Sequence, residues 1–302
     1  MQGGAHVIRT LAFVPAHDEG AILRGADTGL DAVGLDLEDL TPGPQKRRAR
    51  ELFASVASEL AARGIVVMAR TNGFGDGACE ADLDAIVGPE LHCVNIPKAE
   101  TADDVLRFCT LLERAERAHG VEPGRVLVRP VIETARGVRA AYEIAAASPR
   151  VTYMGGVAGG FWGDLGATVG MITSPEGNES LFLRSKVIVD VRAAGVRFPI
   201  GGGSIPSRDP DAIRRFAAEN KRLGYTGSFT TPREEVVAIV NEVFTPTSAE
   251  IDEWRSVLPV LDTARAEGTV VVTIDGKLYD TAGVERVRDQ LALAARLGLL
   301  PP

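Results

Sequence analysis

The strongest constraint on this chain is a repeated alternation. Runs rich in β-branched residues are followed by longer segments with helical spacing. The runs cover residues 6–15, 32–39, 65–72, 93–100, 126–133, 151–158, 196–203 and 224–231. Most are apolar over most of their length, as strands covered on both faces must be. Eight strand–helix units predict a parallel α/β fold, and the count of eight favours a closed (β/α)8 TIM barrel. A doubly wound open sheet is the alternative. It would carry a glycine fingerprint after the first strand, where this chain has Pro15-Ala16-His17-Asp18. Gly64, Gly120, Gly195 and Gly224 are placed to end helices in the left-handed conformation, and Thr101 and Ser207 to begin them.

After about residue 246 the rhythm changes. Residues 248–268 read as a helix with no strand before it, 269–280 as a β-rich stretch around Asp275-Gly276, and 281–298 as a final helix. The expected organisation is a barrel domain over 1–246 and a C-terminal appendage over 247–302.

The 302 residues carry 33 Lys+Arg against 41 Asp+Glu, a net charge of -8. That balance argues against nucleic acid or an anionic membrane surface as the main partner. The chain has no 18-residue apolar run to cross a bilayer, and the first residues lack a basic segment leading into an apolar core, so a cytoplasmic protein is expected. Cys79, Cys93 and Cys109 form neither a disulfide framework nor a zinc knuckle and read as buried, inert thiols.

In a parallel barrel the chemistry sits at the C-terminal ends of the strands. Here those ends carry Asp36-Leu37-Glu38-Asp39, Arg70-Thr71-Asn72, Pro97-Lys98 and Glu133-Thr134-Ala135-Arg136, then glycines at 155, 156, 159, 160 and 201–203. One charged strand end is ordinarily a solvated cap or half of a salt bridge. Acids on the second and fifth strands with cations on the third and fourth suit a divalent cation and an anionic substrate.

These segments resemble the citrate lyase β-subunit and malyl-CoA lyase family, within the HpcH/HpaI aldolase superfamily. The resemblance is carried by Arg9-Thr10-Leu11 through Pro15, Leu35-Asp36-Leu37-Glu38-Asp39, Arg70-Thr71-Asn72, Ile96-Pro97-Lys98-Ala99-Glu100 and Ile132-Glu133-Thr134-Ala135-Arg136-Gly137. Asp164-Leu165-Gly166-Ala167, Asn241-Glu242-Val243-Phe244-Thr245-Pro246 and Asp275-Gly276-Lys277-Leu278-Tyr279-Asp280 continue it in the same order. It implies a barrel whose C-terminal segment acts as a lid, assembled as a homotrimer. It also implies a carbon–carbon lyase or Claisen-type condensing enzyme acting between a short acyl thioester, on coenzyme A or a carrier protein, and a 2-oxo acid. The family roles fall on Arg70 for the oxo-acid carboxylate, Glu133 for Mg²⁺ and Asp280 for proton transfer. Glu38 and Asp39 fall beside the metal, and Lys98, Gly159 and Gly160 fall beside the substrate.

One departure matters. The family's second metal carboxylate aligns with Gly160, and the acid before it with Gly159. Glycine offers no side-chain oxygen, so Mg²⁺ binding is expected to be weak or absent unless Asp164, one helical turn on, replaces the ligand. Two other functions remain open: hydrolysis of a hydroxyacyl thioester in the same site, and a non-catalytic binding or regulatory barrel.

Overall fold

The computed structural model describes residues 5–75, 77–155, 164–172, 174, 176–202 and 207–300. It divides into two compact units, Met1–Phe244 and Thr245–Pro302.

The first unit alternates strands and helices. Strands β1 (Thr10–Pro15), β2 (Ala32–Asp36), β3 (Val66–Arg70), β4 (Leu91–Ile96), β5 (Leu127–Pro130), β6 (Ile200–Gly201) and β7 (Gly227–Phe229) make one sheet. Its order is β5-β4-β3-β2-β1-β7-β6, with every pairing parallel. Helices α1 (Glu19–Ala26), α2 (Lys46–Ala62), α3 (Ala78–Ile86), α4 (Ala102–Ala118), α5 (Ala135–Arg139), α6 (Ala141–Ala146), α7 (Asp164–Val169), α8 (Leu181–Ala193), α9 (Pro210–Leu223) and α10 (Glu234–Phe244) fill the intervals. The main core lies between them and the sheet, with Leu35, Phe53, Leu60, Val94, Phe108 and Val128 among its residues.

The sheet departs from the expected eight strands at the sixth run. Val151 makes a single parallel bridge to Val128, and the amide of Phe198 donates to the carbonyl of Thr152. The described part of this run forms no strand, and Gly155 at its end takes φ 133°, outside the range a ladder uses.

Local chemistry explains most boundaries. Gly64, Gly120, Gly195 and Gly224 all take positive φ at helix ends, as their positions require. Thr101 forms a full capping box with Asp104 at the start of α4. The cap of α9 is Asp209 rather than Ser207: Pro210 fits the first helical position, which moves the cap to the residue before it. In the middle of β2, a Cβ on Gly34 would lie 2.3 Å from the Phe13 ring, so only glycine lets that ring rest against the sheet.

The second unit contains α11 (Ser248–Ala266), a hairpin of β8 (Val271–Ile274) and β9 (Lys277–Asp280), and α12 (Val284–Arg296). Asp275 and Gly276 both take positive φ, the backbone of the tight hairpin turn that the Asp-Gly pair predicts. Val257, Leu261 and Val284 form its small core. No helix among the described residues is long and apolar enough to cross a membrane.

Candidate active site

Strand register builds the floor of the site. Asp36 of β2 pairs with Arg70 of β3, Arg70 with Asn95 of β4, and Asn95 with Arg129 of β5. Side chains at one register level share a face of the sheet. Four polar residues therefore make one layer across four adjacent strands, and all four are buried.

Asp36 is the hub of that layer. Its Oδ1 accepts from Arg70 Nε at 2.8 Å and from the Glu38 amide at 2.9 Å. Its Oδ2 accepts from Arg70 Nη2 at 2.5 Å and from the Leu40 amide at 3.0 Å. The two-pronged pair fixes the guanidinium, while the amides fold the loop after β2 around the same carboxylate. The Phe13 ring lies under the guanidinium, 4.7 Å from its carbon, so Gly34 supports Arg70 through that ring.

The remaining rim residues gather around Arg70. Its Nη1 is 2.8 Å from Glu38, 3.6 Å from Glu133 and 3.9 Å from Asp39. Lys98 Nζ reaches Glu38 at 3.0 Å and Asp39 at 3.4 Å. Lys98 itself has φ 49°, a left-handed backbone rare for a residue with a side chain. Its amide donates to Glu133 Oε2 at 3.4 Å. Arg70, Lys98, Glu38, Asp39 and Glu133, singled out from the sequence, are thus brought together.

Electrostatics in the cluster follow from burial and its opponents. Burial works against the charge on Arg70, but its hydrogen bonds to Asp36 and the charges of Asp36, Glu38 and Glu133 outweigh it and hold its pKa above the ordinary value. Burial raises Glu38 and Glu133 above the ordinary carboxylate value, with Arg70 and Lys98 pulling the other way.

The cluster opens into a cavity of ≈ 290 Å³. Arg70, Glu133, Arg129 and Thr230 give it polar walls; Phe13, Leu40, Val131 and Phe229 give it apolar ones. Arg129 and Asn95 escaped the sequence reading. The signal for Arg129 was present, since it is the one charge inside the apolar stretch Val126–Ile132.

Fitness for a divalent cation turns on Glu133. Its two oxygens have only the long contacts to Arg70 and Lys98, which leaves both able to accept a ligand. Glu38 Oε2 is buried without a hydrogen bond, its contact with Arg70 being an ion pair of poor donor geometry. One or two carboxylates with waters suffice for Mg²⁺, so the donor set fits. No group of three or more His, Cys, Asp or Glu poised to hold an ion is found among the described residues.

Gly159 and Gly160 fall outside the described residues, and so does the side chain of Asp164, whose backbone opens α7. Asp280 ends β9 in the second unit, exposed, with its carboxylate accepting from the Ala282 amide at 2.8 Å. The thiols behave as expected. Cys79 and Cys93 are buried and Cys109 partly so; burial pushes Cys79 up to about 12 and raises the other two.

Comparison with known proteins agrees with this geometry. The chain is 31% identical over 292 residues to the citrate lyase subunit beta of Escherichia coli strain K12, covering 96% of this chain and 94% of that one. It is 28% identical over 298 residues to an L-malyl-CoA/beta-methylmalyl-CoA lyase of Rhodobacter capsulatus, covering 93% of each. Among solved structures, protein CitE of Mycobacterium tuberculosis, in complex with magnesium, acetoacetate and coenzyme A, superposes with a TM-score of 0.66 at 24% identity, over 96% of this chain and 98% of that one. A citrate lyase of Burkholderia xenovorans LB400 gives 0.73 at 19% identity, over 99% and 95%. The family model for HpcH/HpaI aldolase/citrate lyase matches residues 9–232. With the fold, the strand-end cluster and the matches in accord, the chain belongs to the HpcH/HpaI aldolase/citrate lyase family.

Proposed function

We propose that this protein is a carbon–carbon lyase or Claisen-type condensing enzyme acting between a short acyl thioester, on coenzyme A or a carrier protein, and a 2-oxo acid. The observation that carries the reading is the buried Arg70 beside Glu133 at the mouth of the ≈ 290 Å³ cavity. A guanidinium has five N–H groups, and Asp36 takes two of them. The other three are on Nη1 and Nη2, with Nη1 2.8 Å from Glu38 and 3.6 Å from Glu133, and would hold the oxo-acid carboxylate while Asp36 fixes the plane of the fork. Glu133, with Glu38 and Asp39 acting through water, would hold Mg²⁺, which when bound supplies Lewis acidity at the oxo oxygen. Lys98, paired with Glu38 and Asp39, sets the tilt of both carboxylates. Asp280 is assigned the proton transfer at the thioester α-carbon.

The reading includes a closed (β/α)8 barrel over 1–246, a lid formed by 247–302, a homotrimer and a cytoplasmic location. Hydrolysis and regulatory binding stand as outcomes of the test. Purified protein with Mg²⁺ is offered acetyl- or propionyl-CoA together with glyoxylate, pyruvate or oxaloacetate, and thioesters are followed by mass spectrometry. A new, heavier acyl-CoA supports the proposal. Free thiol without carbon–carbon bond formation would mean a hydrolase, and no turnover with any pair would mean a binding barrel. Asp280→Asn should lower turnover about 10²–10⁴-fold. If the lid serves a neighbouring subunit, mixing Asp280→Asn with Arg70→Ala protein restores part of the activity.

A further inference from the structure

Arg129 lines the same cavity as Arg70, but its guanidinium is bound quite differently. It is 3% exposed, its Nη1 donates to Asn95 at 3.0 Å, and its Nε has no hydrogen-bond partner. No carboxylate among the described residues forms an ion pair with it. Asp36 compensates Arg70 in the floor layer, so the charge of Arg129 is the one left over. Burial works against that charge and brings Arg129 down to about 10; Cys93 and Glu133 oppose this, and Arg70 adds to it. The group nonetheless stays a cation at neutral pH. A buried, unpaired cation is among the most costly features a fold can carry, and native proteins retain one where a ligand completes it. Thr230 also lines the cavity, and its buried Oγ1 likewise lacks a hydrogen-bond partner.

We infer that Arg129 is a second anion-recognition residue, which takes a carboxylate of the substrate other than the one held by Arg70 and so selects a dicarboxylic over a monocarboxylic 2-oxo acid. Two strand spacings, about 9–10 Å, separate the backbones of Arg70 and Arg129. Two long side chains reaching into one cavity from that separation can grip both ends of a short diacid. The apolar walls of Phe13 and Val131 suit the carbons between. This rests on the proposed oxo-acid site, and its test separates the two.

Pyruvate and oxaloacetate differ by one carboxylate. Their affinities are measured by calorimetry for wild type, Arg129→Gln, Arg129→Lys and Arg70→Lys, with thermal melts to verify folding. Wild type should prefer oxaloacetate by about 10- to 100-fold, the range for a hydrogen bond between charged groups. Arg129→Gln should erase that preference by weakening oxaloacetate alone, and Arg129→Lys should keep part of it. Arg70→Lys should weaken both acids. Equal binding of the two acids by wild type, or equal weakening of both in Arg129→Gln, overturns the inference and leaves the oxo-acid site standing. Failure of wild type to bind either acid overturns both. The wild-type preference needs no variant, so the test survives if Arg129→Gln does not fold.

Discussion

Two buried ionic groups in this molecule are built on opposite plans. Behind the sheet, Glu116 of α4 accepts from Arg150 Nη1 at 2.8 Å and Nη2 at 2.6 Å, and from the amides of Gly124 at 3.0 Å and Val126 at 2.9 Å. Every acceptor direction of its carboxylate is used. At the cavity, Glu133 has two long contacts and Arg129 has none to a carboxylate. The first network is closed because its purpose is to hold α4 to the end of β5. The second is open because the missing partners are brought by what binds there. Burial alone does not distinguish structural charge from functional charge; the completeness of the partners does.

The comparison makes stability predictions of decreasing size. Glu116→Ala strips Arg150 of its partner and should cost about 3–5 kcal/mol in urea unfolding, whereas Arg129→Gln should cost far less or stabilise. Similar losses in both would break the contrast. Gly34→Ala drives a methyl into Phe13 and should cost about 1–3 kcal/mol while also weakening oxo-acid binding, because the ring beneath Arg70 moves. Unchanged affinity by calorimetry would show that Phe13 does not position the guanidinium.

The closed network also has a pH signature. Burial opposes ionisation of Glu116, but the Arg150 fork and two amides outweigh it and hold its pKa below the ordinary 4.5. A carboxylate depressed by folding stabilises fully above the unfolded value and loses that contribution as pH falls through the folded one. Thermal melts from pH 6 down to pH 3 should show wild type losing stability below about 4.5, with a shallower loss in Glu116→Gln. Parallel curves would contradict the assignment. The smallest effect belongs to Asp280→Asn: asparagine caps as well as aspartate, so the unfolding free energy should hold within about 0.5 kcal/mol of wild type.

Much of this was written in the sequence, for reasons that are local. Glycine ends helices because its backbone permits it, and Thr101 begins one because its hydroxyl reaches the third amide on. Rim residues were legible because strand ends are recognisable from apolar runs. Register is not local. Nothing in Leu91–Ile96 alone says that Asn95 will lie level with both Arg70 and Arg129. Asp36 read as one acid among three, while its backbone-folding role emerges only once Arg70 is placed beside it. For the same reason Arg70 must be counted as part of the fold as well as the site, since any substitution there leaves Asp36 buried with a poorer partner.

That double duty of Asp36 has a further result. One carboxylate clamps both the arginine and the turn bearing Glu38 and Asp39, so these groups cannot wander separately. The ordering that a small ligand would otherwise have to impose is completed during folding, before any ligand arrives. A substrate of only a few atoms has little surface with which to reshape a loop, and here it meets a receptor already in its final form.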